Sequence, residues 1–276
     1  MDWKRWKHHY FQIISEFSFN PQKDSESALI LNNFLKTRAY FKKPDYLKNI
    51  IKGKIVFLFG CGPSLPHHLN LLKNSNLNLE NFIYIAADGA TSALMQHNIL
   101  PDIIITDLDG RISDQIQANK EGAIVIIHAH GDNIEQIHQN YSKFQGDLMG
   151  STQSEPLSHV FNFGGFTDGD RCAFLAVKMK AAIIVLFGFD FGKIVGKFSK
   201  PYLDDDKEAD EIKLKKLSWA QKLLSELSYN TKSLFIKVNG DQINLGKIKS
   251  LEFADLIKFL EAWTHKVTGL KSKDPK

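Results

Sequence analysis

The stretch Pro101-Asp102-Ile103-Ile104-Ile105-Thr106-Asp107-Leu108-Asp109-Gly110 ends an apolar run in two carboxylates one residue apart, followed by a glycine. In an extended backbone, residues two apart point to the same side. Asp107 and Asp109 are therefore expected to face one spot, where two unpaired carboxylates would repel. A hard cation such as Mg²⁺, with a triphosphate as its usual partner, relieves that repulsion. The alternative is a pair of turn aspartates capping the next helix. Asp88, in Ala87-Asp88-Gly89, is either a third metal carboxylate or a helix cap. Thr106, small and polar at the strand end, is expected to touch phosphate.

Further motifs carry compatible chemistry. Gly60-Cys61-Gly62-Pro63-Ser64-Leu65 reads as a tight strand-to-helix turn. Its N–H groups and the Ser64 hydroxyl are expected to hold a phosphate, or else to start a helix plainly. Leu65 stands where a dinucleotide fingerprint needs a third glycine, and no lysine follows as in a Walker loop. His128 and His130 sit two apart, before Asp132 and Asn133. Phosphate contact, proton transfer or holding a ring suits them better than zinc, for which no distant histidine is an obvious partner. A core role for His128 is the alternative. Gly164-Gly165-Phe166-Thr167-Asp168-Gly169-Asp170-Arg171 is a second glycine-rich loop opening a helix, which Asp168 or Asp170 would cap. Arg171 in a first helical turn opposes the helix dipole, so it is expected to clamp an anion. Asp190, between Phe189 and Phe191, would read an amino-pyrimidine edge or cap a turn. Of the lysines at 213–216, one is placed to reach a polyphosphate, although a solvated helix face explains the run equally.

The elements that position these motifs read as α/β. Apolar strands are expected at 54–59, 82–86, 103–105, 123–127, 182–187 and 234–238. Helices are expected at 65–74, 91–98, 113–120, 134–144, 171–180, 208–229 and 253–263. Near-continuous apolar strands alternating with helices imply a mostly parallel, Rossmann-like sheet with helices on both faces. Ligands bind such sheets beyond the carboxyl ends of the strands, where all six motifs fall. Residues 145–162 are less regular, with a short strand near 159–162, and the tail from Lys271 is expected to fray. The organisation is an N-terminal helical segment over 1–50, two helices broken near Asn20-Pro21, and an α/β catalytic domain over 51–270. The segment reads as a cap on the domain or as the arm of a homodimer.

Composition narrows the classes. An apolar share of 43% and a charged share of 24% suit a globular protein, and a net charge of +4 without a basic stripe argues against nucleic acid. No run approaches the ~18–20 apolar residues of a membrane span. The start of the chain lacks the apolar core and cleavage site of a secretory signal. Cys61 and Cys172 are far apart, which fits a reduced, cytoplasmic compartment.

Taken in order, GCGPSL, AADGA, PDIIITDLDG, HAHGDN, NFGGFTDGDRC and GFDFG resemble the archaeal 6-hydroxymethyl-7,8-dihydropterin pyrophosphokinases over about residues 54–192. That family is related to thiamin pyrophosphokinases, whose ADG and PD-x-x-x-x-D-x-D segments also match. Against the thiamin enzymes stand His128–Asn133, where they carry another acidic motif with only Asp132 in common, and the lack of a clear C-terminal run of strands. The resemblance implies transfer of diphosphate from ATP to a pterin hydroxymethyl group, giving AMP, in folate or methanopterin biosynthesis. It implies Mg²⁺ on Asp107 and Asp109 with Asp88 and Asp132 nearby, phosphates on Gly60–Ser64 or Gly164–Arg171, and His128 or His130 taking the alcohol proton. The GxGPSL loop also resembles a group that includes flagellin-modifying transferases. A nucleotide-sugar glycosyltransferase is therefore the second hypothesis, and a nucleotide-binding regulator without turnover the third.

Overall fold

The computed structural model describes residues 3–239 and 244–271. Helices α1 (Trp3–Phe17), α2 (Pro21–Lys36) and α3 (Pro44–Ile51) precede β1 (Ile55–Phe59) and α4 (Leu65–Lys73). Then follow β2 (Ile83–Ala87), α5 (Ala90–Gln96), β3 (Ile103–Thr106), α6 (Ile112–Lys120), β4 (Ile124–Ala129) and α7 (Ile134–Asn140). Next come β5 (Leu148–Thr152), β6 (Val160–Phe161), α8 (Asp168–Lys178) and β7 (Ile183–Phe187). The short strands β8 (Ile194–Val195) and β9 (Lys207–Glu208) lead to α9 (Glu211–Tyr229), β10 (Leu234–Val238), β11 (Lys249–Leu251) and α10 (Phe253–Lys271).

Among the described residues, nine strands form one sheet in the order β11-β10-β7-β1-β2-β3-β4-β5-β6, every pairing parallel. β8 and β9 pair antiparallel as a separate ribbon. The expected α/β class with helices on both faces is what the chain adopts. Alternation along β1 explains the continuous apolar runs. Ile55, Phe57 and Phe59 join one core with α2, α4, α5 and α10, while Val56 and Leu58 join the other with α1, α3, α8 and α9.

The N-terminal segment has three helices where the pattern predicts two. It is not a cap on one surface: Leu31 and Leu35 of α2 lie in one core, and Trp6, Tyr10 and Ile13 of α1 in the other. The stretch at 145–162 holds two paired strands, β5 and β6. Gly150, Ser151 and Thr152 weaken the apolar signal of β5, although all three are buried. β11 escapes detection because Lys249 and Ser250 are exposed at the sheet edge. The expected fraying of the tail falls mostly outside the described residues.

Candidate active site

The tips of β1, β2, β3, β4 and β7 and the start of α8 open onto one cavity of about 550 Å³, within the range of small-molecule sites. Asp88, Asp107 and Asp109 line it, and one carboxylate oxygen from each lies within 4.8 Å of the others. This convergence does not come from an extended strand. β3 ends at Thr106, and Leu108 has φ 68°, so the backbone from Asp107 to Asp109 is not extended. A buried Leu108 in the left-handed region turns the chain and brings the carboxylates together. Asp88 is also left-handed, at φ 42°.

Each carboxylate has different neighbours. Asp88 Oδ1 accepts from Thr106 Oγ1 at 2.6 Å and Gln115 Nε2 at 2.9 Å. Burial, then Asp107, Asp109 and Asp168, push its pKa well above the ordinary carboxylate range. Asp107 is half-buried, and desolvation alone would raise it, but the hydrogen bond from His130, with the charges of Arg171 and Lys200, holds it below that range. His130 Nε2 lies 3.3 Å from Asp107 Oδ2, and His130 Nδ1 accepts from Asp132 N–H, which places the ring proton on Nε2. Asp109 pairs with Lys200. Asp107 Oδ1 is buried and has no hydrogen-bond partner among the described residues. An oxygen-only donor set with one orphaned oxygen fits a hard divalent cation.

Several expected ligand contacts are made within the protein instead. Thr106 donates to Asp88 and accepts from Leu108 N–H, so it holds the carboxylate cluster rather than a phosphate. Ser64 N–H and Oγ both bind Asp190 Oδ2, at 3.0 and 2.9 Å. The Gly60 and Gly62 N–H groups bond the Phe187 and Gly188 carbonyls. The first glycine loop thus already grips an anion, the chain's own Asp190. Gly62 is obligatory there, because a Cβ would stand 2.1 Å from that carboxylate.

Asp170 forms a capping box with Thr167 at the start of α8, so its oxygens serve the backbone and not a ligand. Gly164 and Gly165, at φ 90° and 93°, allow close packing on Phe174 and Arg171 and do not line the cavity. His128 is buried, bonds Ser151 Oγ through Nδ1 and likewise does not line it. Burial lowers its pKa well below the ordinary value, with help from Arg171 and His130. Asp132 lines the cavity but stands outside the three-carboxylate cluster.

Arg171 is buried against the cavity, with NH1 on Asp168 at 3.0 Å, NH2 on Gln153 Oε1 at 3.3 Å and Nε without a partner among the described residues. Burial and Asp107 raise the Asp168 pKa to about 7 despite Arg171. Lys213 and Lys216 of α9 also line the cavity. The sequence reading missed Lys200, Lys23, Asp24, Gln153 and Phe19, which line it too. No local motif marks them, and only tertiary folding brings them to the strand tips.

The family model for 6-hydroxymethylpterin diphosphokinase MptE-like proteins matches residues 30–196. A curated 6-hydroxymethyl-7,8-dihydropterin pyrophosphokinase of Methanocaldococcus jannaschii is 45% identical over 244 residues, covering 86% of this chain and 100% of the relative. The protein of that name from Pyrococcus furiosus is 43% identical over 237 residues, covering 86% and 99%. Among solved structures, the MAf glycosyltransferase from Magnetospirillum magneticum AMB-1 aligns with a TM-score of 0.48 at 18% identity, over 73% of this chain and 34% of its own.

Proposed function

This chain belongs to the 6-hydroxymethylpterin diphosphokinase MptE-like family, and from that premise we propose that it transfers diphosphate from ATP to the hydroxymethyl oxygen of 6-hydroxymethyl-7,8-dihydropterin. The products are AMP and the pterin diphosphate, and the pathway is folate or methanopterin biosynthesis in the cytoplasm. The observation that carries this reading is one cavity in which three converging carboxylates face Arg171, Lys200, Lys213 and Lys216.

The oxygen of the alcohol attacks the β-phosphorus while the bond from that phosphorus to the AMP oxygen breaks, and the alcohol proton passes to solvent. Such transfers depend on alignment and electrostatics more than on covalent help from the protein. Asp88, Asp107 and Asp109 are the residues that would hold Mg²⁺. When bound, the ion neutralises charge on the polyphosphate. Arg171 and the three lysines line the same cavity and bind phosphate oxygens. Both ring nitrogens of His130 are engaged, which favours orientation of Asp107 over proton abstraction. His128 lies outside the cavity and is not placed to take the alcohol proton.

Product analysis with ATP, Mg²⁺ and the pterin, with thiamin in a parallel reaction, tests the proposal. Mg²⁺-dependent AMP and pterin diphosphate are expected. AMP with thiamin alone would move the chain to the thiamin reaction, and AMP in neither would reject both.

A further inference from the structure

The family model begins at residue 30, yet the cavity wall includes residues before it. Among them is Asp24 on α2, a buried carboxylate with three donors and no basic side chain in an ion pair with it among the described residues. Asp24 Oδ1 accepts from Gly131 N–H at 2.7 Å. Asp24 Oδ2 accepts from Tyr10 Oη and from Gln153 Nε2, each at 2.9 Å. Burial and then Asp24 itself push the Tyr10 pKa up, so the phenol remains a donor.

Each contact leads to the site. Gly131 follows His130, whose ring holds Asp107. Gly131 also packs against α2 so closely that a Cβ would stand 2.8 Å from Lys23 Cβ. A neighbouring tie repeats the pattern: Ser27 of α2 donates to Asn133 Oδ1, and Asn133 Nδ2 donates to the Asp107 and His128 carbonyls.

The second branch runs through Gln153. An amide has a donor end and an acceptor end, and its terminal torsion is nearly two-fold, so its neighbours decide which end faces where. A carboxylate only accepts, which fixes Nε2 towards Asp24 and leaves Oε1 to hold Arg171 NH2. Reversing the amide would set its N–H groups against the guanidinium.

We propose that Asp24 is a positioning residue for the reaction, which fixes the Gln153 amide and thereby aims Arg171 into the cavity, while its other oxygen sets the His130 turn. The first two N-terminal helices are by this account a working part of the active site. The turnover arm of the test rests on the pyrophosphokinase reading; the stability arm does not.

The test exchanges the two groups. Asp24→Asn introduces an N–H that favours the reversed Gln153 amide, and kcat should fall ~10-fold or more. Gln153→Glu alone sets two carboxylates together and should lose as much. In Asp24→Asn/Gln153→Glu the acceptor-only group moves to position 153, where it can accept from both the new amide and Arg171. Turnover of the double variant should return to within ~3-fold of that of the unaltered protein, far above the additive loss. Additive losses in kcat overturn the proposal, as does an unchanged kcat at saturating substrate with only a lower melting temperature. If the unaltered protein releases no AMP, the function reading fails. The four melting temperatures then still decide the network, non-additivity supporting the Asp24–Gln153 coupling and additivity refuting it.

Discussion

Asp88→Asn separates charge repulsion from fold in the carboxylate cluster. The oxygens of Asp88, Asp107 and Asp109 lie within 4.8 Å of one another. At an effective dielectric of ~20, each charged pair at that distance costs about 3.5 kcal/mol. Asp107 accepts from His130 and Asp109 pairs with Lys200, while among the described residues Asp88 accepts from the neutral donors Thr106 and Gln115. An amide oxygen can keep both of those bonds while removing a charge that repels two others. The raised Asp88 pKa already relieves part of this repulsion, so the gain is on the order of 1–3 kcal/mol rather than the full repulsion. The metal-free variant should melt roughly 2–8 °C higher. The sign with pH is fixed: the folded state retains a proton that the unfolded chain has released. Unaltered protein therefore loses stability as pH rises from the ordinary 3.8 through the raised value, and the variant lacks that component. Mg²⁺ should raise the melting temperature of the unaltered protein far more than that of the variant, whose turnover falls at least ~10²-fold. A variant that melts no higher without metal, and responds to Mg²⁺ as before, would refute the electrostatic account.

Asp107→Asn and Asp109→Asn should each cut AMP release at least ~10²-fold in folded protein, as circular dichroism would verify; normal turnover in both removes the metal assignment. His68, buried and accepting from Gly188 N–H at 3.1 Å, has its pKa lowered to about 4 by burial. The neutral ring therefore contributes stability above pH 6.5 that is lost as pH falls towards 4, roughly 3 kcal/mol. Urea unfolding at pH 4.5 and 7 should show a smaller difference in His68→Gln, and equal differences would contradict this. Gly62→Ala drives a Cβ against Asp190 Oδ2 and the Gly188 carbonyl, whereas nothing lies within 4 Å of a Cβ at Gly192. The first should destabilise by ~1–3 kcal/mol and the second should be neutral; equal melting temperatures would refute the packing argument.

Strand-end position was legible because it needs only the order of apolar runs. Each of GCG, ADG, TDLDG, HAHGDN and GFDFG follows a run that is a strand of the sheet, so the rim of the sheet could be drawn before any distance was known. Which donors on that rim remain available was not legible. Ser64 and Asp190, 126 residues apart, each read as ligand groups, and they bind each other. Thr106 and Asp170 hold protein groups as well. Lys200 reaches Asp109 across 91 residues and Asp24 reaches Gln153 across 129, with no periodicity to announce either. Even the correct pairing of Asp107 with Asp109 has a different cause from the one the spacing suggests, a left-handed Leu108 rather than an extended strand. Polar residues at the strand tips are therefore an inventory of capacity. Function is assigned by what stays unsatisfied after the protein has bonded to itself, and among the described residues that line the cavity Asp107 Oδ1, Arg171 Nε and Ser199 Oγ are such atoms, the first two of opposite character.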